Sequence, residues 1–299
     1  MKKALVIVNP SSGKEKAGEY TDHIVEVLEE RFEEVEVKKT EKAGDAKRFA
    51  DSATKEGVEL IVAVGGDGTV NEAVNGISPH EKRPKFAIIP MGTVNDLARV
   101  LQIPLDPNDA IEILNEEHLQ TIDLGKAKDI YFTNAFSVGE IPESIHEVTA
   151  EEKSKLGTFA YLWAGTKKLF ENKKIQVKVT TDEKEFEGQL SAIVMSLTGQ
   201  LGGIEKIFPE AQLDDGKIHI LLVHKLDFLE TTKMLPELLG NRITESENVT
   251  YITTDKVTLE GIHGKTYFSD VDGEKGPELP LTVEVLKAHL NVLVPKKDN

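Results

Sequence analysis

Residues Leu60–Glu72 read LIVAVGGDGTVNE, and this stretch decides the fold prediction. It opens with an apolar, partly β-branched run, Leu60–Val64, which is typical of a strand buried in a parallel sheet. Three glycines follow, and a helix is predicted to begin near Thr69. Glycine loops let backbone N–H groups approach a bulky anion, and a helix N-terminus adds unsatisfied donors and partial positive charge. The stretch therefore predicts a phosphate-binding turn, with an ordinary glycine-rich turn as the alternative.

Strands and helices alternate from residue 1 to about residue 120, which predicts a parallel sheet with helices on both faces, a Rossmann-like α/β domain. The predicted strands are Ala4–Val8, Val35–Thr40, Leu60–Val64 and Phe86–Pro90, and the predicted helices are Gly18–Phe32, Asp45–Gly57, Asn95–Leu101 and Asp109–Glu116.

Three loops follow the carboxyl ends of these strands: Asn9–Gly13, Gly65–Thr69 and Met91–Asp96. Ligands of open parallel sheets bind outside the carboxyl ends, so the convergence of the loops favours a phosphate site over a plain turn. Asp67 lies inside the second loop, where a carboxylate indicates a bound metal ion or hydroxyl group. A simple turn aspartate is the alternative interpretation.

Beyond about residue 125 the hydrophobic residues alternate at period two, which predicts an antiparallel β-sandwich or barrel-like second domain. The predicted strands are Ile175–Thr180, Phe186–Leu197, Ile218–Val223, Val249–Leu259, Thr266–Val271 and Leu281–Val294, with helices at Lys155–Glu171 and Phe228–Leu239. The predicted domains are therefore residues 1–125 and 126–299.

Composition excludes several classes of protein. The 299 residues include 52 acidic and 36 basic ones, so the net charge of −16 argues against nucleic acid as a partner. There is no cysteine, which excludes disulfides and thiolate chemistry. The apolar run near the start is too short for a signal peptide, and no run is long enough to be a transmembrane segment. We therefore expect a cytoplasmic enzyme, either free or peripheral at the inner face of the membrane.

Four motifs occur in order along the chain: Asn9-Pro10-Ser11-Ser12-Gly13, Gly65–Thr69, Pro90–Arg99 and Asp272-Gly273-Glu274. Together they resemble the diacylglycerol kinase catalytic family, in its bacterial soluble lipid-kinase branch, over essentially the whole length. The resemblance implies an N-terminal α/β domain and a C-terminal β-sandwich, with the active site in the cleft between them. It also implies that the last strand, at about residues 288–296, returns to the first domain.

The resemblance also implies site residues. Those that would contact ATP are Asn9, Pro10, Ser11, Ser12, Gly13, Thr40, Gly66, Asp67, Gly68, Thr69, Val70, Asn71, Glu72 and Thr93. Asp67 would lie beside the triphosphate and its Mg²⁺, Asp96 would help order the cleft, and Glu274 would be the general base. A structural Mg²⁺ would be held by Asp215 with backbone carbonyls near Gln212 and Lys217.

Each role has a plainer alternative. Asp96 could cap the helix that follows it. Asp272-Gly273-Glu274 and the segment around Asp215 could be hairpin turns. The chain has neither a GxxxxGK[ST] phosphate loop nor the protein-kinase motifs, so any phosphates would be held by glycine-loop amides.

The leading hypothesis is an ATP- and Mg²⁺-dependent kinase that phosphorylates a lipid hydroxyl at the membrane surface, with diacylglycerol as the first candidate and phosphatidic acid as product. Phosphatidylglycerol, undecaprenol and sphingoid bases remain open as acceptors. The alternatives are an NAD kinase and a nucleotide- or lipid-binding protein without turnover. The sequence leaves the oligomeric state open, and a homodimer is one option.

Overall fold

The structure, a computed structural model, describes residues 2–13, 17–116, 118–139, 174–201, 206–224, 237, 240 and 242–296. The predicted helix Lys155–Glu171 lies outside these residues, as does Phe228–Leu239 apart from Glu237. The chain divides into two units. The first unit comprises Met1–Leu124, Tyr131–Thr133 and Leu286–Asn299, and the second comprises Gly125–Ile130 and Asn134–Val285.

The first unit alternates strands and helices as the sequence predicts. Its elements are β1 (Lys3–Val8), α1 (Thr21–Glu29), β2 (Glu34–Lys39), α2 (Asp45–Lys55), β3 (Leu60–Gly65), α3 (Asp67–Ile77), β4 (Lys85–Pro90), α4 (Asp96–Val100) and α5 (Pro107–Glu112), with 3-10 turns at Ala17–Tyr20 and Ile113–Asn115.

Strands β1 to β4 are parallel, in the order β2-β1-β3-β4. All six residues of β3 are buried, so both faces of this strand are covered, as is typical of a parallel sheet. From β1 the chain moves one way to β2, and β3 lies on the other side of β1. The strand order therefore reverses between β1 and β3, and such a switch point is where open α/β sheets bind ligands.

Helices α2 and α3 pack closely because Gly76 lies at their contact. A Cβ atom built on Gly76 would lie 2.4 Å from the carbonyl oxygen of Lys47 and 2.8 Å from Cβ of Ala50. Both distances are shorter than van der Waals contact, so only glycine permits this approach. The packing fixes the start of α3 relative to the loop that precedes α2.

The second unit is built from antiparallel strands. The remaining strands of the chain are β5 (Leu119–Ala127), β6 (Ile130–Phe132), β7 (Ala135–Val138), β8 (Ile175–Thr180), β9 (Glu185–Ser196), β10 (Ile218–His224), β11 (Val249–Thr254), β12 (Lys256–Gly261), β13 (Phe268–Val271), β14 (Glu274–Glu278) and β15 (Leu281–Leu293). Strands β5 and β15 have residues in both units.

Strand β9 organises the second unit. It pairs with β8, β7 and β10, and each pairing is antiparallel. A cluster of buried side chains includes residues of β9 and β10 and the fully buried Phe208. The predicted α/β domain followed by a β-sandwich is thus confirmed. Within the described part of the chain, no helix has the length and apolar character needed to cross a bilayer.

Some predicted boundaries are wrong. The segment Val249–Leu259 is two strands, because the chain turns at Asp255. The strand before the turn, β11, pairs with β10, and the strand after it, β12, pairs with β8 and β15. Helix α3 begins at Asp67 instead of near Thr69. Helix α5 begins earlier than predicted, since Asp106 accepts the N–H of Asn108 as N-cap and a proline follows it. Strands β5, β6, β7 and β14 were not predicted, because they are short or lack strict alternation.

We expect Gly76→Ala to destabilise the protein. Overpacking costs about 1–3 kcal/mol, which exceeds the roughly 1 kcal/mol that alanine gains over glycine in a helix. The free energy of unfolding from urea titration measures the effect. Gly18→Ala is the control, because a Cβ atom at Gly18 would meet nothing within 4 Å. Equal stability of the two variants would contradict the close packing of α2 on α3.

Candidate functional site

The first and second loops are joined by Asn9. Its Nδ2 donates to Oγ1 of Thr69 at 3.0 Å, and its Oδ1 accepts the N–H of Ser11 at 3.1 Å. The backbone N–H of Asn9 donates to the carbonyl of Val64 at 2.9 Å. Asn9 therefore fixes the loop after β1 against the start of α3, at the strand-order switch point.

The second and third loops are joined by Asp67. Its carboxylate accepts the N–H groups of Asn95 at 2.9 Å and of Asp96 at 2.8 Å. Asn95, the N-cap of α4, has a left-handed backbone with φ 54°. Asp67 is therefore more than a turn residue, because it supplies the acceptors for the start of α4. Asp96 is the first residue of α4, so the alternative that it caps this helix is wrong.

Backbone atoms of the second and third loops approach one another directly. A Cβ atom on Gly92 would lie 2.7 Å from Cα of Gly66 and 2.6 Å from Oδ1 of Asn95. Asn95 closes the third loop on itself, since its Oδ1 accepts the N–H of Gly92 at 2.8 Å. Asn95 was not among the predicted site residues, although asparagine tolerates the left-handed region better than most residues.

The start of α3 has the donors that a phosphate group needs. Its N-cap is Gly66, which has an extended backbone and brings no side-chain acceptor. The N–H groups of the first helical turn point away from the helix and have no acceptor within it. Gly68 is exposed in that turn. These groups fit the phosphates of a nucleotide, since an anion at a helix N-terminus is also favoured by the helix dipole.

A magnesium ion bound to such phosphates would fit Asp67. Each oxygen of its carboxylate accepts one N–H group. A carboxylate offers about four lone-pair positions, so both oxygens keep one for a cation. Mg²⁺ prefers carboxylate, phosphate and water oxygens. Asp67 and the phosphates would thus provide the expected ligand types.

Glu72 holds the loop before α2. One carboxylate oxygen accepts the N–H of Gly44 at 2.7 Å, and the other accepts the N–H of Ala46 at 3.1 Å. Gly44 is the N-cap of α2 and has no side chain of its own to satisfy these donors. Glu72 therefore caps α2 from the neighbouring helix. The same loop begins at Thr40, whose N–H donates to the carbonyl of Val8 at 2.9 Å.

Asp45 closes this loop from the other side. Its Oδ2 accepts the N–H groups of Glu41 and Lys42 at 3.0 and 3.1 Å, and its Oδ1 meets Arg48 at 2.9 Å. The hydrogen bond from Arg48 and then the N–H of Glu41 lower the pKa of Asp45 to about 2, while burial opposes the shift. The carboxylate is therefore ionised at neutral pH.

The other residues predicted to contact the nucleotide differ in their solvent exposure. Ser11 and Thr93 are exposed, whereas Pro10, Ser12 and Gly13 are half-buried. Val70 and Asn71 are only 5% and 8% exposed, and Oδ1 of Asn71 accepts from Asn75 at 3.0 Å. The structure thus brings Ser11, Gly68 and Thr93 to the surface of the three loops.

In the second unit, Asp272 and Gly273 form the two-residue turn of the β13–β14 hairpin. Both have positive φ, 48° and 85°, and Val271 pairs with Glu274 across the turn. The hairpin alternative for this motif is therefore confirmed, and Glu274 is exposed as the first residue of β14. A turn position is compatible with a role in catalysis.

The turn is anchored by its own aspartate. Oδ1 of Asp272 accepts the N–H groups of Asn134 at 3.1 Å and of Ala135 at 2.7 Å. Asn134 is buried, and its Oδ1 accepts from Oγ1 of Thr198 at 2.6 Å. This buried network fixes the backbone that carries Glu274, and neither Asn134 nor Thr198 was among the predicted site residues.

The residues predicted to hold a structural Mg²⁺ come together in one turn. Oδ1 of Asp215 accepts the N–H of Lys217 at 2.8 Å, and its Oδ2 accepts the N–H of Gln212 at 3.1 Å and meets Nε2 of His219 at 2.9 Å. The carboxylate thus faces two backbone N–H donors and a ring nitrogen of His219. In the described ranges, no three His, Cys, Asp or Glu side chains are grouped to hold a metal. The carboxylate of Asp215 therefore keeps about one lone-pair position where that of Asp67 keeps two, so it fits a cation less well.

Two family models match the chain. The model of the "Diacylglycerol kinase catalytic domain" matches residues 3–127. The model of the "YegS C-terminal NAD kinase beta sandwich-like domain" matches residues 141–294. The first match contains all three loops at the carboxyl end of the sheet, and the second contains Asp215 and Glu274.

Known proteins are similar over nearly the whole length. A "Diacylglycerol kinase" from Staphylococcus carnosus (strain TM300) is 36% identical, covering 99% of this chain and 96% of the relative. Another from Staphylococcus aureus (strain MRSA252) is 35% identical, covering 98% and 93%. The crystal structure of a diacylglycerol kinase from Bacillus anthracis str. Sterne has a TM-score of 0.80 and 29% identity, covering 98% of this chain and 97% of that one.

We expect Glu72→Ala to destabilise the first unit even without nucleotide. Loss of a helix cap costs about 0.5–2 kcal/mol, because the N–H groups of Gly44 and Ala46 lose their acceptors. Urea titration of the nucleotide-free protein measures the loss. The control is Glu81→Ala, which removes an exposed glutamate four residues beyond the end of the same helix. If both variants unfold at the wild-type urea concentration, Glu72 does not cap α2.

We expect Asp45→Asn to weaken the dependence of stability on acid pH. Because the pKa of Asp45 is lowered from 3.8 to about 2 in the folded state, the unfolded chain binds more protons between these values. Stability from this group is present above about pH 4 and is lost as the pH falls towards 2. The gap in unfolding free energy between wild type and Asp45→Asn should therefore narrow from pH 6 to pH 2.5. A constant gap would contradict this account.

Proposed function

Because this chain belongs to the diacylglycerol kinase family, we propose that it transfers the γ-phosphoryl group of ATP to the free hydroxyl of diacylglycerol, giving phosphatidic acid and ADP. The chain is a kinase that acts on an alcohol. The observation that carries the proposal is the meeting of the three loops at the start of α3, where Asn9 and Asp67 tie them together.

In this proposal the phosphates of ATP lie on the first turn of α3. The exposed backbone around Gly68 donates to them, with Ser11 and Thr93 on the flanking loops. The loop that begins at Thr40 borders the same edge of the sheet. Phosphoryl transfer depends mainly on positioning and charge neutralisation, and a set of fixed backbone amides provides both.

Asp67 is proposed to hold the Mg²⁺ that accompanies ATP, through the lone pairs its two hydrogen bonds leave. The ion, when bound, would neutralise charge on the phosphates. Asp96 follows directly on the backbone that Asp67 fixes. We propose that its carboxylate helps to order the site around the reacting phosphate.

Glu274 is proposed as the general base. The hydroxyl oxygen of the lipid forms a new bond to the γ-phosphorus, and the bond from that phosphorus to the β–γ bridging oxygen breaks. The hydroxyl proton passes to the carboxylate of Glu274, and ADP leaves with the bridging oxygen. The exposure of Glu274 and the anchoring of its turn by Asp272 support this role.

Diacylglycerol is favoured as acceptor because relatives named diacylglycerol kinase align over nearly the full length of the chain. Such a substrate resides in a membrane, so the enzyme is proposed to act at the membrane surface.

The proposal is tested with labelled ATP and Mg²⁺ in parallel reactions on vesicles that contain diacylglycerol, phosphatidylglycerol, undecaprenol or sphingosine, and on soluble NAD. We expect label in phosphatidic acid and a rate at least tenfold above that with any other acceptor. Label in NADP, or a higher rate on another lipid, would overturn the choice of acceptor. Bound ATP without any labelled product would support a binding protein instead.

We expect Glu274→Gln to lower kcat by about 10²- to 10⁴-fold, the usual contribution of general base catalysis, while the Kd for ATP stays near the wild-type value. The matched control is Glu278→Gln, an exposed glutamate on the same strand, which should keep wild-type turnover. Thermal unfolding of both variants shows that they remain folded. Wild-type kcat in Glu274→Gln would remove the base assignment.

A further inference from the structure

Asp215 is the acceptor at one end of a buried hydrogen-bonded chain. His219 lies in β10, is only 2% exposed, and pairs with Ser196 of β9 and Thr253 of β11. Its Nε2 lies 2.9 Å from Oδ2 of Asp215, and its Nδ1 lies 2.5 Å from Oη of Tyr251. Two neighbouring strands therefore hold the imidazole between a carboxylate and a phenol.

The direction of the hydrogen bonds follows from the two partners. An ionised carboxylate only accepts, so Nε2 of His219 must carry a hydrogen and donate it to Asp215. Burial, followed by the charges of Glu210 and Asp215, raises the pKa of Tyr251 to about 12, so its hydroxyl keeps its proton. That hydroxyl can therefore donate to Nδ1.

Ring contacts leave the imidazole little freedom to turn away. His219 stacks on Tyr251 with 6.0 Å between ring centroids and 24° between ring planes. Phe208, which is fully buried, meets the imidazole edge-on at 6.2 Å. A side chain packed on two sides and bonded at both ring nitrogens is fixed in place.

A cation at Asp215 would compete with this arrangement. Three N–H donors, from Gln212, Lys217 and His219, already point at the two carboxylate oxygens. Mg²⁺ demands near-octahedral geometry with short bonds to oxygen. A metal that displaced His219 would leave a buried N–H group without an acceptor, which is unfavourable.

We propose that the N–H group of His219 takes the structural place that the family resemblance gives to Mg²⁺, so that the turn of residues 212–217 is held by the chain Asp215–His219–Tyr251 without a metal ion. The Mg²⁺ proposed to accompany the nucleotide at Asp67 is a different ion, and this inference does not concern it. The inference concerns the second unit alone and does not depend on the acceptor of the kinase reaction.

The test is thermal unfolding of the full chain without nucleotide, in EDTA, in MgCl₂, and in NaCl of matched ionic strength. We expect the Tm of the wild type to be the same in MgCl₂ and in NaCl, within about 1 °C. Asp214→Asn, at the exposed neighbouring residue, is the matched control for Asp215→Asn, because each variant removes one carboxylate. A rise in wild-type Tm that needs Mg²⁺, and that Asp215→Asn alone abolishes, would overturn the proposal.

His219→Gln gives a second arm. It should unfold at a lower temperature than the wild type in EDTA, and Mg²⁺ should restore part of the loss, because Asp215 then has room for a cation. Tyr251→Phe keeps the bond between His219 and Asp215, so its Tm should not respond to Mg²⁺. Stabilisation by Mg²⁺ that is as large in the wild type as in His219→Gln would count against the proposal. Phosphatidic acid formation is measured separately, so failure of the kinase proposal would leave these results unaffected.

Discussion

The carboxylate of Asp67 accepts two backbone N–H groups at the start of α4, and the arrangement of the candidate nucleotide site depends on this pair of bonds. Without them, the third loop would lose two of its hydrogen bonds to the second, and the left-handed backbone of Asn95 would rest on its side-chain bonds to Gly92. The aspartate in the glycine-rich turn therefore has a structural role in the folded chain before any nucleotide binds. A substitution there changes loop geometry as well as chemistry, so loss of activity alone would not separate the two.

A second helix N-terminus along the carboxyl edge of the sheet is also capped by an acidic side chain of α3. Helix α2 is capped by Glu72 of α3, and α4 is capped by Asp67, also of α3. The helix that supplies both caps has only glycine at its own N-cap. The acceptors are thus placed so that donors at the N-termini of the two neighbours are satisfied, while the N-cap of α3 brings no side-chain acceptor. Close packing at Gly76 holds α2 and α3 against each other, so that Glu72 of α3 stays within reach of the start of α2.

Much of the fold was accessible from local sequence pattern, because buried parallel strands such as β3 and amphipathic helices such as α2 carry strong periodic signals. The break at Asp255 was missed, since two consecutive strands with different partners look like one long alternating run. Site geometry was less accessible. Nothing in the local sequence around Glu72 shows that its carboxylate caps a helix whose N-cap, Gly44, lies 28 residues earlier in the chain. Likewise, the hydrogen bond from His219 to Asp215 depends on the path of β10, and no metal-binding motif would have revealed it.

Strands β5 and β15 each begin in one unit and end in the other, and they pair with each other. The N–H of Ala288 donates to Oδ1 of Asp123 at 2.7 Å, so the outgoing and returning chains are joined on the side of the first unit. In genetic terms the second unit is inserted into the first in two segments, on either side of Tyr131–Thr133. A gene fragment that stops near residue 125 would omit Val292, which pairs with Phe86 on β4. Subcloning the first unit therefore calls for keeping Tyr131–Thr133 and Leu286–Asn299 together with the first 124 residues, in place of a simple stop codon.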